Sequence, residues 1–183
     1  MSEARRAQIL EASYEILGAK GLEGLHARSV GLEVGINHAA VHYYYATRVH
    51  LLEAVAEYAL GRFERDLQEF RSRVPAGQRL RADLALFGAY CRPASRFFRV
   101  WNSLFVAGQA EPGIRERLRA FTRGWIEVFA ESLPPGGKGL RDPQTLVAAV
   151  MGLALMAQLD ALTGDPAHTI DGILSAVSEG GRR

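Results

Sequence analysis

Apolar residues recur at every third and fourth position along this chain, and no stretch alternates apolar with polar. That period belongs to helices, so the chain is constrained to an all-α fold. Breakers divide it into segments. Gly21 and Gly24 end a first helix that buries Ile9, Leu10, Tyr14, Ile16 and Leu17. Gly35 interrupts the next segment. Thr47 can cap a long helix that runs to Arg73 and stops at Pro75-Ala76-Gly77. Arg92-Pro93 and Glu111-Pro112-Gly113 separate further helices. Pro134-Pro135-Gly136-Gly137 opens a loop that ends at Asp142. At Asp142-Pro143 and Asp165-Pro166 an aspartate caps free backbone N–H groups, and proline takes the first helical position, where its missing N–H costs nothing. The expectation is about nine helices with short connections.

Composition narrows the class. The chain has 183 residues, 48% of them hydrophobic, so it can bury a core. Its single cysteine, Cys91, excludes an intramolecular disulfide framework and fits a reducing compartment. The most apolar run, 146–162, carries Gln158 and Asp160 and falls short of the roughly 20 residues of a membrane span. Residues 1–8 are polar, with no apolar stretch of a signal peptide behind them. The expected setting is the cytoplasm, with no membrane partner. The net charge is +2, a weak hint of nucleic acid. Residues 1–50 are formally neutral, so a nucleic-acid site there requires charges sorted onto faces.

Residues 27–46 fit a helix-turn-helix position by position. Two short helices packed at a steep angle need a small residue where they cross, and Gly31 is there. The turn needs tolerance of positive φ, which Gly35 supplies. Val30, Val34, Ile36, Val41 and Tyr44 fall at the apolar contacts, and Asn37 is a good N-cap. His38, Ala39, His42 and Tyr43 then point outward. A solvated face usually carries Glu, Lys or Arg, whereas short residues and hydrogen-bonding rings suit a major-groove floor. The alternative is an ordinary helical hairpin. His38 and His42 also have a metal-holding spacing, but no third ligand lies nearby in sequence, and no cofactor is expected.

The run Gly21-Leu22-Glu23-Gly24-Leu25, with Arg28, Val30, Gly35-Ile36, Val41, Tyr44-Tyr45, Thr47-Arg48 and Leu51-Leu52, resembles the N-terminal domain of the tetracycline-repressor family. The specific likeness covers residues 5–55. Farther on, only the all-helical layout is similar. The resemblance implies base or phosphate contacts for His38, Ala39, Ala40, His42 and Tyr43. It implies a DNA contact for Arg28 and a phosphate contact for Arg48, where the family usually has lysine at a helix N-terminus. With Asn37 and Thr47, these residues make up the candidate DNA-binding set. Departures from the family pattern are His42, commonly tyrosine, and His26, commonly a serine or threonine cap and here a poorer one. Gly31 replaces the usual alanine, at about 1 kcal/mol of helix propensity.

The resemblance divides the chain into residues 1–47, which bind DNA, and 48–183, which bind an effector and dimerise. The second half is rich in aromatics at helical spacing, which reads first as core. Of these, Phe63, Phe87, Tyr90, Trp101, Phe105, Trp125 and Phe129 are candidates for an effector pocket. Arg92, Arg96 and Arg99 form a basic stripe, either a solvated face or a site for an anionic effector such as an acyl-CoA. The helix 143–163 is apolar nearly all round, and an amphipathic helix follows Pro166. Leu146, Val150, Leu153, Ala157, Ile170, Ile173 and Leu174 are therefore expected at a two-fold interface, the alternative being burial in a monomer. The leading expectation is a dimeric repressor on a palindromic DNA operator, released by a small-molecule effector, with the long helix from residue 48 as lever. A DNA-binding regulator without effector, controlled by a protein partner, is the second. Catalysis is not expected: there is no nucleophile elbow, phosphate-binding loop, paired-carboxylate motif or zinc spacing, and Cys91 reads as a buried helical thiol.

Overall fold

A computed structural model describes residues 2–90, 95–133, 135–159 and 165–179, without the side chains of residues 166, 167, 170, 171, 174, 178 and 179. Cys91, Arg92, Pro93, Asp160 and the side chains of Ile170 and Leu174 lie outside the described residues. Among the described residues there are nine α-helices and no strand. They are α1 (Glu3–Gly24), α2 (Ala27–Val34), α3 (His38–Tyr44), α4 (Arg48–Ser72), α5 (Arg79–Tyr90), α6 (Arg96–Ala110), α7 (Pro112–Ala130), α8 (Pro143–Gln158) and α9 (Pro166–Glu179). Short 3₁₀ turns at Ala76–Gln78 and Gly139–Arg141 join some of them.

The punctuation works as its chemistry dictates. α1 breaks at Gly21, whose φ of 64° and ψ of −166° leave the helical region, and makes one more turn to Gly24. Thr47 Oγ1 accepts the His50 N–H at 3.1 Å and opens α4. Asp142 Oδ1 accepts the Thr145 N–H at 2.8 Å and the Thr145 hydroxyl at 2.9 Å, and Pro143 begins α8. Those hydrogen bonds hold the Asp142 carboxyl below its ordinary pKa.

The chain packs as two units. One comprises the residues up to Phe63 together with Arg96–Arg119; the other comprises Glu64–Ser95 and the residues from Ala120 onward. This packing division differs from the expected division at residue 47, because the start of α4 and all of α6 pack with the first three helices. In the first unit α6 is clamped onto α1. Arg96 Nη1 lies 2.7 Å from Glu15 Oε2 and 3.1 Å from the Glu15 carbonyl, and Arg99 Nε donates to the Gly18 carbonyl at 2.8 Å. These two arginines hold a helix pair together. The third arginine of the stripe, Arg92, lies outside the described residues.

The second unit has an aromatic core. Phe87 meets Trp125 edge-on at 4.8 Å, and Trp125 lies 5.3 Å from Phe129. The expected pocket residues separate accordingly. Phe87, Trp125 and Phe129 are buried against one another, and the Tyr90 hydroxyl donates to Asp66 Oδ2 at 2.7 Å. In the first unit Phe63 is buried 4.9 Å from Phe97, and Trp101 is buried. Phe105 is 56% exposed, unlike the other candidates in this unit. The second unit also encloses Asp83, fully buried, with Arg71 Nε 3.3 Å from Oδ1 and Arg71 Nη2 2.7 Å from Glu131 Oε2. Burial raises the Asp83 pKa, and the Arg71 cation opposes that rise.

α8 overturns most of the expected interface. Leu146, Val150, Ala157 and, on α9, Ile173 are buried within the single chain, and Leu153 is half-buried. The exposed large apolar residues here are instead Leu155 and Met156 on α8 and its C-cap Leu159, the last 79% exposed. Ala148, seven residues before Leu155, and Gly152, seven before Leu159, share their face at helical spacing.

Candidate nucleic-acid interface

α2, α3 and the first turn of α4 form one site in the first unit. α2 begins at His26, whose Nδ1 accepts the Ser29 N–H at 3.1 Å while Ser29 Oγ accepts the His26 N–H at 3.3 Å. This reciprocal box makes His26 a working cap, contrary to the sequence expectation, and is worth about 1 kcal/mol. The readable signal was Ser29 three residues on, with the capping partners exchanged between positions.

The turn depends on two glycines. Gly35 has φ 71° and ψ 36°, the left-handed conformation that ends α2. The Ile36 N–H returns to the Gly31 carbonyl at 2.8 Å. A Cβ on Gly31 would lie 2.7 Å from the Ile36 carbonyl oxygen, so only glycine fits without moving the turn. The propensity cost assigned to Gly31 is thus offset by a close approach that alanine forbids.

α3 is fastened from below. Asn37 Oδ1 accepts the Ala39 N–H at 3.0 Å, and Val41 and Val30 are fully buried. Tyr45, not Tyr44, completes the core; Tyr44 is half-buried, with its ring 5.7 Å from Tyr43. The Arg6 guanidinium sits over the Tyr45 ring, 5.6 Å from its centroid. Burial raises the Tyr45 pKa, and Arg6 opposes the rise.

With that seam buried, the opposite face of α3 is free. His38, Ala39 and His42 are exposed, Tyr43 is 72% exposed and Ala40 is half-buried. Arg28 is exposed on α2. From Val34 to Leu52 the chain carries no carboxylate. Arg48 also has a role within the protein. Its Nε donates to the Leu25 carbonyl at 3.1 Å and its Nη2 to the Leu22 carbonyl, tying the start of α4 to the end of α1. Two of its five N–H donors are therefore committed within the protein.

Between these elements lies a cleft of about 300 Å³ that sequence reading missed. Val41, Tyr45 and Leu51 give it apolar walls, and His26, Arg28, His38, His42 and Arg48 also line it. Among the described residues, no three His, Cys, Asp or Glu side chains come together as a metal-holding group. No described helix is long and apolar enough to cross a membrane.

Solved structures share this arrangement of helices. A transcriptional regulator of the tetracycline-repressor family from Rhodococcus sp. superposes with a TM-score of 0.75 at 22% identity, over 96% of this chain and 99% of the other. The chain has the tetracycline-repressor-family fold. A transcriptional regulator from Saccharomonospora viridis, solved with choline, matches with a TM-score of 0.73 at 18% identity, over 97% of each chain. No protein-family model matches the chain. Among curated proteins, the helix-turn-helix transcriptional regulator BetI of Paraburkholderia phymatum is 28% identical over 179 residues, 92% of this chain and 87% of its own length. The likeness in fold thus covers 96% of this chain, and the likeness in sequence to a transcriptional regulator covers 92%.

Proposed function

We propose that the chain is a ligand-responsive, DNA-binding transcriptional regulator: a cytoplasmic repressor that binds a palindromic operator as a homodimer and leaves it when a small organic effector binds. The observation that carries this reading is the exposed face of α3. It is capped by Asn37 and seated on Val41, and it offers His38, Ala39, His42 and Tyr43 in a stretch, Val34 to Leu52, that carries no Asp or Glu. Such a face can meet base edges, thymine methyls and phosphates. Arg28, Ala40 and the remaining donors of Arg48 extend the contact, while Asn37 and Thr47 hold the helix starts in register.

Functionally, residues 1–47 bind DNA, and 48–183 serve effector binding and dimerisation. The dimer face we assign is Ala148, Gly152, Leu155, Met156 and Leu159, the apolar stripe that the single chain leaves uncovered. Two such chains present two recognition helices to a two-fold operator. The effector suited to the second unit is an apolar or aromatic molecule. The neighbour solved with choline supports a small organic ligand for this fold. The relatives are named as transcriptional regulators, and the reading assigns no catalysis.

The test is a fluorescent duplex titrated with the purified chain at increasing salt. Affinity should fall steeply with salt, and the double variant His38→Ala, His42→Ala should bind at least ~10-fold more weakly. Absence of duplex binding at low salt, or binding indifferent to the variant, contradicts the reading.

A further inference from the structure

The cleft beside α3 has the size of a small-ligand site. Its volume of about 300 Å³ sits at the lower end of small-molecule sites, which combine apolar walls with a few convergent polar groups. Val41, Tyr45 and Leu51 supply the walls. The polar groups are cations or imidazoles: Arg28 and Arg48, with His26, His38 and His42; none of the residues lining the cleft is acidic. One of the imidazoles is pre-set. His26 Nδ1 accepts the Ser29 N–H, so the neutral ring carries its proton on Nε2, as a donor. Arg48 is likewise held by its bonds to the Leu25 and Leu22 carbonyls, which limits the entropy lost on binding.

We infer that this cleft binds a small organic anion, a phosphate or carboxylate on a compact apolar body, and that such a ligand competes directly with DNA. The competition follows from shared residues. Arg28, His38, His42 and Arg48 line the cleft and belong to the proposed DNA-binding face, so a molecule held there occupies what a duplex must touch. This control lies in the DNA-binding helices themselves and is independent of any effector in the second unit. The inference rests on the proposed DNA reading for its competitor, but not for the site.

The experiment titrates the full chain with phenyl phosphate at constant ionic strength and follows all five imidazoles by NMR, with benzyl alcohol as the uncharged control. A fluorescent duplex then reports competition. The expected result is a saturable, common shift of His26, His38 and His42, with His50 and His168 unmoved and benzyl alcohol inactive. Duplex affinity should fall in proportion to phenyl phosphate occupancy. The variant Arg28→Ala, His38→Ala should weaken phenyl phosphate at least ~10-fold. The benzyl alcohol comparison needs no variant, so it stands if that protein fails to fold. Equal, unsaturable shifts of all five histidines mean diffuse ion contact and overturn the proposal. No shift in a chain that binds duplex makes the cleft a seat for DNA backbone only, and overturns it too. Saturable binding that leaves duplex affinity unchanged overturns the competition. Failure of the DNA reading alone has a separate signature: intact imidazole shifts with no duplex binding at low salt, which removes the competitor and overturns the regulatory half.

Discussion

α3 and α8 are built alike and end with opposite surfaces. Each buries one seam in its own unit: Val41 under α3, and Leu146, Val150 and Ala157 under α8. Each then exposes a second face unlike an ordinary solvated one. On α3 that face is imidazole, alanine and phenol; on α8 and its C-cap it is Leu155, Met156 and Leu159. An exposed apolar stripe is stabilised by another apolar surface, and an exposed row of short hydrogen-bonding groups by a hydrated polyanion. The difference teaches that the partner is read from the face that packing leaves unexplained. On that reading α8 serves a second copy of the chain and α3 serves DNA.

The largest effect should come from charging the α8 stripe. Leu155→Glu with Leu159→Glu should raise the dimer dissociation constant more than ~1,000-fold by sedimentation, since each buried carboxylate would lack a partner. A dimer that survives both changes breaks the comparison at α8. Truncating the inner seam instead should act on folding alone. Leu146→Ala should lower stability by about 3 kcal/mol in urea melts while the chain stays dimeric. On α3, His42→Ala should weaken operator binding by about 10-fold with stability unchanged, because the imidazole makes no contact within the protein that the fold depends on. Gly31→Ala reads the support beneath that face. It should destabilise by about 1–2 kcal/mol, against its helix propensity, because the Cβ would meet the Ile36 carbonyl.

Much of the fold was legible because its punctuation is local. Gly21, Gly35, Asn37, Thr47 and Asp142 each act through their own backbone or a residue two or three positions away, and each does what its chemistry implies. The outward face of α3 was legible for the same reason, since helical period alone sets Ala39 and Tyr43 opposite Val41. What depended on three-dimensional neighbours was not. Arg96 and Arg99 read as a free basic stripe until α1 supplied Glu15 and the Gly18 carbonyl. Arg48 read as a phosphate ligand alone, and its bonds to the end of α1 were not legible. α8 is apolar nearly all round, so its sequence did not separate the seam facing the chain's own core from the seam facing outward. The cleft arises from three elements meeting, and no single segment announces it.

The most direct test of the central claim is selection of binding sites from random duplex DNA with the purified chain. The account predicts enrichment of a palindrome whose half-sites lie about one helical turn apart, matching two recognition helices. A pool that stays random at low salt, where even weak phosphate contacts hold, would contradict it.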